Sequence, residues 1–135
     1  MSKNITRLNP PTMPNSENMG YSQISIVEPG RMAYVSGQVA IPPDGGPVPL
    51  DIAAQSKIAS ANAKAALDAL GATPQDIAIL HCFITDLDNE KMEKAFPIVL
   101  EMLDGAMPSI TGIGVAALAS PDFMIEIELT VRLPD

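Results

Sequence analysis

Glu126 and Glu128 are the carboxylate pair best spaced for acid–base chemistry, one residue apart in the alternating run Ile125-Glu126-Ile127-Glu128. On a β-strand this spacing puts both on one face, about 7 Å apart. If that face is buried, mutual repulsion raises one of the two pKa values; if it faces water, the run is an ordinary solvated strand. His81 and Cys82 are the sole histidine and cysteine. They cannot build a His/Cys metal cluster, and adjacent strand residues point to opposite faces, which excludes a Cys-His dyad. Their plain reading is a locally satisfied histidine and a small core thiol. Gly45-Gly46 and Gly112-Ile113-Gly114 are too short for a phosphate loop and do not lead from a strand into a helix. Neither a metal nor a cofactor is expected.

The elements that must position these residues follow from periodicity and turn chemistry. Residues 1–20, rich in Pro, Asn and Ser, read as an irregular arm. Ile24 and Ile26 alternate with polar residues, Glu28-Pro29-Gly30-Arg31 supplies a turn, and Met32-Ala33-Tyr34-Val35 follows, which predicts a hairpin. After the loop Pro42-Pro43-Asp44-Gly45-Gly46-Pro47, Asp51 caps a helix running to about Leu70, with Ile52, Ala59, Ala63, Ala66 and Leu70 on one stripe and Gly71 beyond its end. Thr73-Pro74-Gln75-Asp76 makes a single turn. The apolar run from Ile77 to Thr85 is a central strand. Met92, Phe96, Val99, Leu100 and Leu103 predict an amphipathic helix over residues 89–103 capped by Asp88. Pro97 should kink or restart that helix, since a proline in a helix interior costs about 3 kcal/mol. Strands over residues 109–117 and 124–133 complete the chain. Two helices on one face of a mixed sheet bury these stripes most simply, giving an α+β two-layer sandwich. The central strand is apolar on both sides, so its other face should be covered by a second subunit.

The composition narrows the functional classes. A chain of 135 residues, 47% hydrophobic and 18% charged, is one globular domain spanning residues 1–135, with apolar surface left for self-association. A net charge of -8, with the lysines and arginines forming no run, opposes nucleic-acid binding. No tryptophan and few aromatics leave no stacking platform for single strands. The N-terminus has no apolar signal core and no stretch approaches the ~20 apolar residues of a membrane span. No membrane association is expected, and the lone Cys82 fits a cytoplasmic protein.

The chain resembles the RidA/YjgF family, also called endoribonuclease L-PSP or translation-inhibitor proteins. The resemblance runs through Asn9-Pro10-Pro11, Gly20-Tyr21-Ser22-Gln23, Val35-Ser36-Gly37-Gln38, Asp51 with Gln55, Gly114-Val115-Ala116-Ala117-Leu118 and Ile125-Glu126-Ile127-Glu128. It implies a chorismate-mutase-like α+β fold and a homotrimer with a small-molecule cleft at each subunit interface. The implied activity is cofactor-free hydrolysis of reactive enamines and imines such as 2-aminoacrylate, releasing a 2-keto acid and ammonia. By the same resemblance Glu126 is the catalytic residue that positions water, and Tyr21, Ser36 and Gly37 hold the ligand. A helix position often occupied by Asn falls at Glu93.

The family clamps its substrate carboxylate with an arginine, whose guanidinium makes two parallel charged hydrogen bonds. The family pattern Pro-Ala-Arg-Ser, followed by Thr or Cys, reads here Pro108-Ser109-Ile110-Thr111-Gly112. Ile110 therefore stands where the arginine is expected and Gly112 where the hydroxyl or thiol is, with Thr111 between them. Weak or absent 2-imino acid deaminase activity follows, because losing a charge pair in a desolvated pocket costs about 2–5 kcal/mol. A hydrolase acting on another C–N bond is one reading. A non-catalytic metabolite-binding module is the alternative, and a ribonuclease conflicts with the acidic charge.

Overall fold

The computed structural model describes residues 2–135. Its strands are β1 (Ile5–Leu8), β2 (Ile24–Val27), β3 (Met32–Gln38), β4 (Ile77–Thr85), β5 (Ser109–Val115) and β6 (Ile125–Arg132), with helices α1 (Ile52–Ala69) and α2 (Asn89–Leu103). Four strands form one mixed sheet in the order β3-β6-β4-β5, parallel between β4 and β5 and antiparallel elsewhere. Both helices lie on one face, as the apolar periods predict. The core fills the space between: Ala59, Ala63 and Leu67 of α1 and Val99 and Leu103 of α2 meet Leu80, Ile84, Ile127 and Leu129 of the sheet. The chain is α+β.

α1 starts where Asp51 accepts hydrogen bonds from the Ala53 and Ala54 amides at 3.0 and 3.4 Å, the expected cap. Gly71, just past its end, has φ +66°, a conformation only glycine adopts without strain. The buried stripe of α1 is more polar than predicted. Gln55, Ser56 and Ser60 are buried, whereas Ala66 and Leu70 are only half-buried. Gln55 belongs in the core because its amide is fully used: Nε2 donates to the Pro49 and Asp122 carbonyls and Oε1 accepts from the Met124 amide. α2 runs without a break through Pro97, so the helix does not restart there. Pro97 is exposed, so the helix carbonyl left without its usual donor lies on the solvent side, where water can replace it.

Two expectations at the N-terminus fail. The arm is not irregular throughout: β1 pairs antiparallel with β2, and a 3-10 turn spans Glu17–Met19. The β2–β3 hairpin does not form, because β2 pairs with β1 while β3 pairs with β6. Arg132 accounts for this. Its buried guanidinium takes the Glu28 and Pro29 carbonyls at 3.0 and 2.7 Å, so the intended turn is bonded to β6 rather than closing on itself. Arg7 fixes β1 by donating to Ser25 Oγ and to the Ile77 carbonyl at 2.6 and 2.7 Å.

Candidate functional site

On the sheet face away from the helices, β6 presents Glu126 and Glu128 and β4 presents His81 and Phe83 beside them. His81 Nδ1 lies 2.9 Å from Glu128 Oε1, which satisfies the histidine locally and engages one of the two carboxylates. Both glutamates are half-buried. Glu126 is left for other work, and β3 is shaped around it. Between the pairs Val35–Leu129 and Gln38–Ile127, β3 spends one residue more than β6, a bulge at Ser36-Gly37. A Cβ on Gly37 would overlap the Glu126 carboxyl group, so only glycine lets the bulge approach it this closely. Ser36 is exposed next to it, its carbonyl accepting from Gln38 Nε2 at 2.9 Å.

Three of the other sequence-predicted residues gather on the helix side of the sheet. Tyr21, Ile110 and Gly112 line a cavity of about 210 Å³ with Cys82, Met92 and Phe96. β5 is parallel to β4 and sets Gly112 beside Cys82. Tyr21 is carried in by its neighbour: the Ser22 amide donates to the Pro108 carbonyl at 3.1 Å, and Ser22 bridges to Ser109 at the start of β5. No charged residue lines the cavity among the described residues. Burial pushes the Cys82 thiol up to about 12, so it is a neutral wall and not a nucleophile.

Thr111, between Ile110 and Gly112, pairs with the half-buried His81 and is itself exposed on the opposite face. Glu93 is exposed on α2 and does not line the cavity; Met92, one residue earlier, does. Met92, Phe96 and Cys82 were visible in the sequence only as core positions, and their apolar periodicity carried no sign that they border a hollow. A larger hollow of about 590 Å³, beside β1, is lined by Lys3, Arg7, Asn9 and Gln75 and holds none of the predicted site residues. No three His, Cys, Asp or Glu side chains converge as a metal site among the described residues, and no helix is long and apolar enough to cross a membrane.

The family profile described as endoribonuclease L-PSP matches residues 13–133. The chain belongs to this family, the RidA/YjgF proteins. Within the family it is 36% identical over 110 residues to the RutC family protein YjgH of Escherichia coli, covering 81% of each chain. It is 32% identical over 129 residues to the 2-iminobutanoate/2-iminopropanoate deaminase of the same organism, covering 95% of each. Among solved structures, the Rid-family protein YyfB of unknown function from Yersinia pestis superposes with a TM-score of 0.90 at 34% identity, over 96% of this chain and 99% of that one. E. coli TdcF with bound serine superposes at 0.66 with 30% identity, over 83% and 87%. Ile110, which the resemblance sets at the arginine position, lies in the wall of the uncharged cavity.

Proposed function

We propose that the protein is a homotrimeric hydrolase of imines or enamines other than 2-imino acids, acting at pockets between subunits. The observation that carries this reading is the division of the family's site within one chain. Glu126 with Ser36-Gly37 lies on one face of the sheet, and Tyr21, Ile110 and Gly112 border a cavity on the other. One chain cannot apply both groups to a single small molecule, whereas a second copy can bring its Glu126 to the first copy's cavity. The resemblance to relatives named as deaminases supports the chemistry.

In that chemistry Glu126 accepts a proton from water as the oxygen attacks the imine carbon. With the imine protonated beforehand, attack gives a neutral carbinolamine; Glu126 returns the water proton to its nitrogen, and as the C–N bond breaks the hydroxyl proton passes back to Glu126 and on to solvent, so that a carbonyl compound and ammonia leave. Ser36 and Gly37 hold the Glu126 side of the ligand and Tyr21 the other. Ile110 offers a carboxylate neither charge nor hydrogen bond, which turns the site away from 2-imino acids. The net charge of -8 supports a small-molecule ligand over RNA, and a single cysteine suits the cytoplasm.

Ammonia release from uncharged imines, generated in situ by an amine oxidase, tests the reading. Wild type should accelerate release, and Glu126→Gln should abolish the acceleration while light scattering still reports a trimer. Full turnover by Glu126→Gln removes the role of that carboxylate. The replacement of the arginine by Ile110 favours one further reading, a metabolite-binding module without turnover; ligand binding with no acceleration of any imine would establish it.

A further inference from the structure

We propose that the cavity between α2 and the β4–β5 edge receives an uncharged hydrocarbon ring about the size of benzene. The proposal deepens the reading above, since the ring is then the non-reacting arm of the substrate. Size comes first: the cavity measures about 210 Å³, and an apolar cavity of ~150 Å³ lined by Leu, Ile and Phe already stays dry and binds benzene. Lining chemistry comes second. Met92, Phe96 and Ile110 supply apolar walls, and among the described residues Tyr21 and Cys82 are the only lining residues whose side chains carry an O–H or S–H group. A carboxylate entering there would lose its water with no cationic partner in return. Shape comes third. A Cβ built on Gly112 meets nothing nearer than Met92 Cε, at 3.6 Å, so the glycine leaves open room rather than relieving a clash. Met92 can adapt to a flat guest, because an unbranched thioether side chain repacks easily and its sulfur contacts aromatic rings favourably.

Titration of the full-length protein, labelled at the methionine methyls, with toluene and with benzoate as its charged counterpart provides the test. Toluene should shift the Met92 methyl resonance saturably, and benzoate should leave it in place at the same concentration. Gly112→Leu, which fills the hollow, should weaken toluene binding by about tenfold or more. Ile110→Phe narrows the same cavity from another wall and serves if Gly112→Leu fails to fold. No saturable shift with toluene, equal binding of benzoate, or unchanged affinity in both variants would overturn the proposal. The titration requires no turnover, so a catalytically silent protein still reports on the ring site. Imine hydrolysis without toluene binding would overturn this inference alone and leave the hydrolase standing.

Discussion

Gly37 and Glu126 form a matched pair: the bulge brings the backbone against the carboxyl group, and the absence of a side chain on Gly37 leaves room for it. Gly37→Ala should therefore push the carboxylate aside and lower imine turnover by about 10²–10⁴-fold, the range for losing a general base, with the protein still folded. Circular dichroism beside the ammonia assay checks both halves of this statement. Cys82 gives a second prediction at the same scale. Its folded thiol is held neutral up to about 12, so between its ordinary range and that value the unfolded chain binds fewer protons than the folded one. Stability from this group is complete at neutral pH and lost as pH rises from roughly 9, with a slope limit of about 1.4 kcal/mol per pH unit. Denaturant midpoints at pH 8 and 10 should fall more in wild type than in Cys82→Ala. Glu126, Ser36 and Gly37 stood out in the sequence through the motifs of the resemblance, while their closeness depends on the pairing of β3 with β6. Glu93 was not reliably placed, because adjacent helix residues point about 100° apart and a one-residue offset turns the cavity-lining Met92 into an exposed glutamate.

The elements that carry the site were legible wherever hydrophobic period and caps agreed, as in α1 with Asp51, α2 with Asp88, and the alternating β6. β1 escaped notice because four residues flanked by polar and proline-rich sequence are too short to display a period. The mistaken hairpin has a related cause. A turn signal says that the chain reverses but not which strands then pair, and here Arg132 and β6 decide it. Buried Gln55 was equally invisible, since its place depends on carbonyls at Pro49 and Asp122 that only the fold brings near. Gln55→Leu leaves those carbonyls and the Met124 amide without their partner. A loss on the order of 3 kcal/mol is expected, because each buried polar group left unsatisfied costs about 1–3 kcal/mol. Urea denaturation of the variant measures it, and a loss below about 1 kcal/mol would mean that water replaces the amide.

At the scale of the molecule, the sheet face bearing Tyr34, His81, Phe83 and Glu126 is the surface that the proposed trimer would cover with neighbouring subunits. Tyr34 is 77% exposed there in the isolated chain, an unusual setting for a large aromatic unless something covers it. Light scattering at micromolar concentration should return three times the chain mass, and a monomer would contradict the interfacial site. The α+β layering was readable from the order of elements; the cavity was not, because it is lined by residues from four separated segments. The central claim is that a family scaffold has kept its water-positioning carboxylate and lost its carboxylate clamp. Its most direct test is release of ammonia and 2-oxobutanoate from freshly generated 2-iminobutanoate by wild type and Ile110→Arg, with the E. coli deaminase as the active control. Wild type should stay at background and Ile110→Arg should gain activity; wild-type release at the rate of the control would mean that the clamp is not lost.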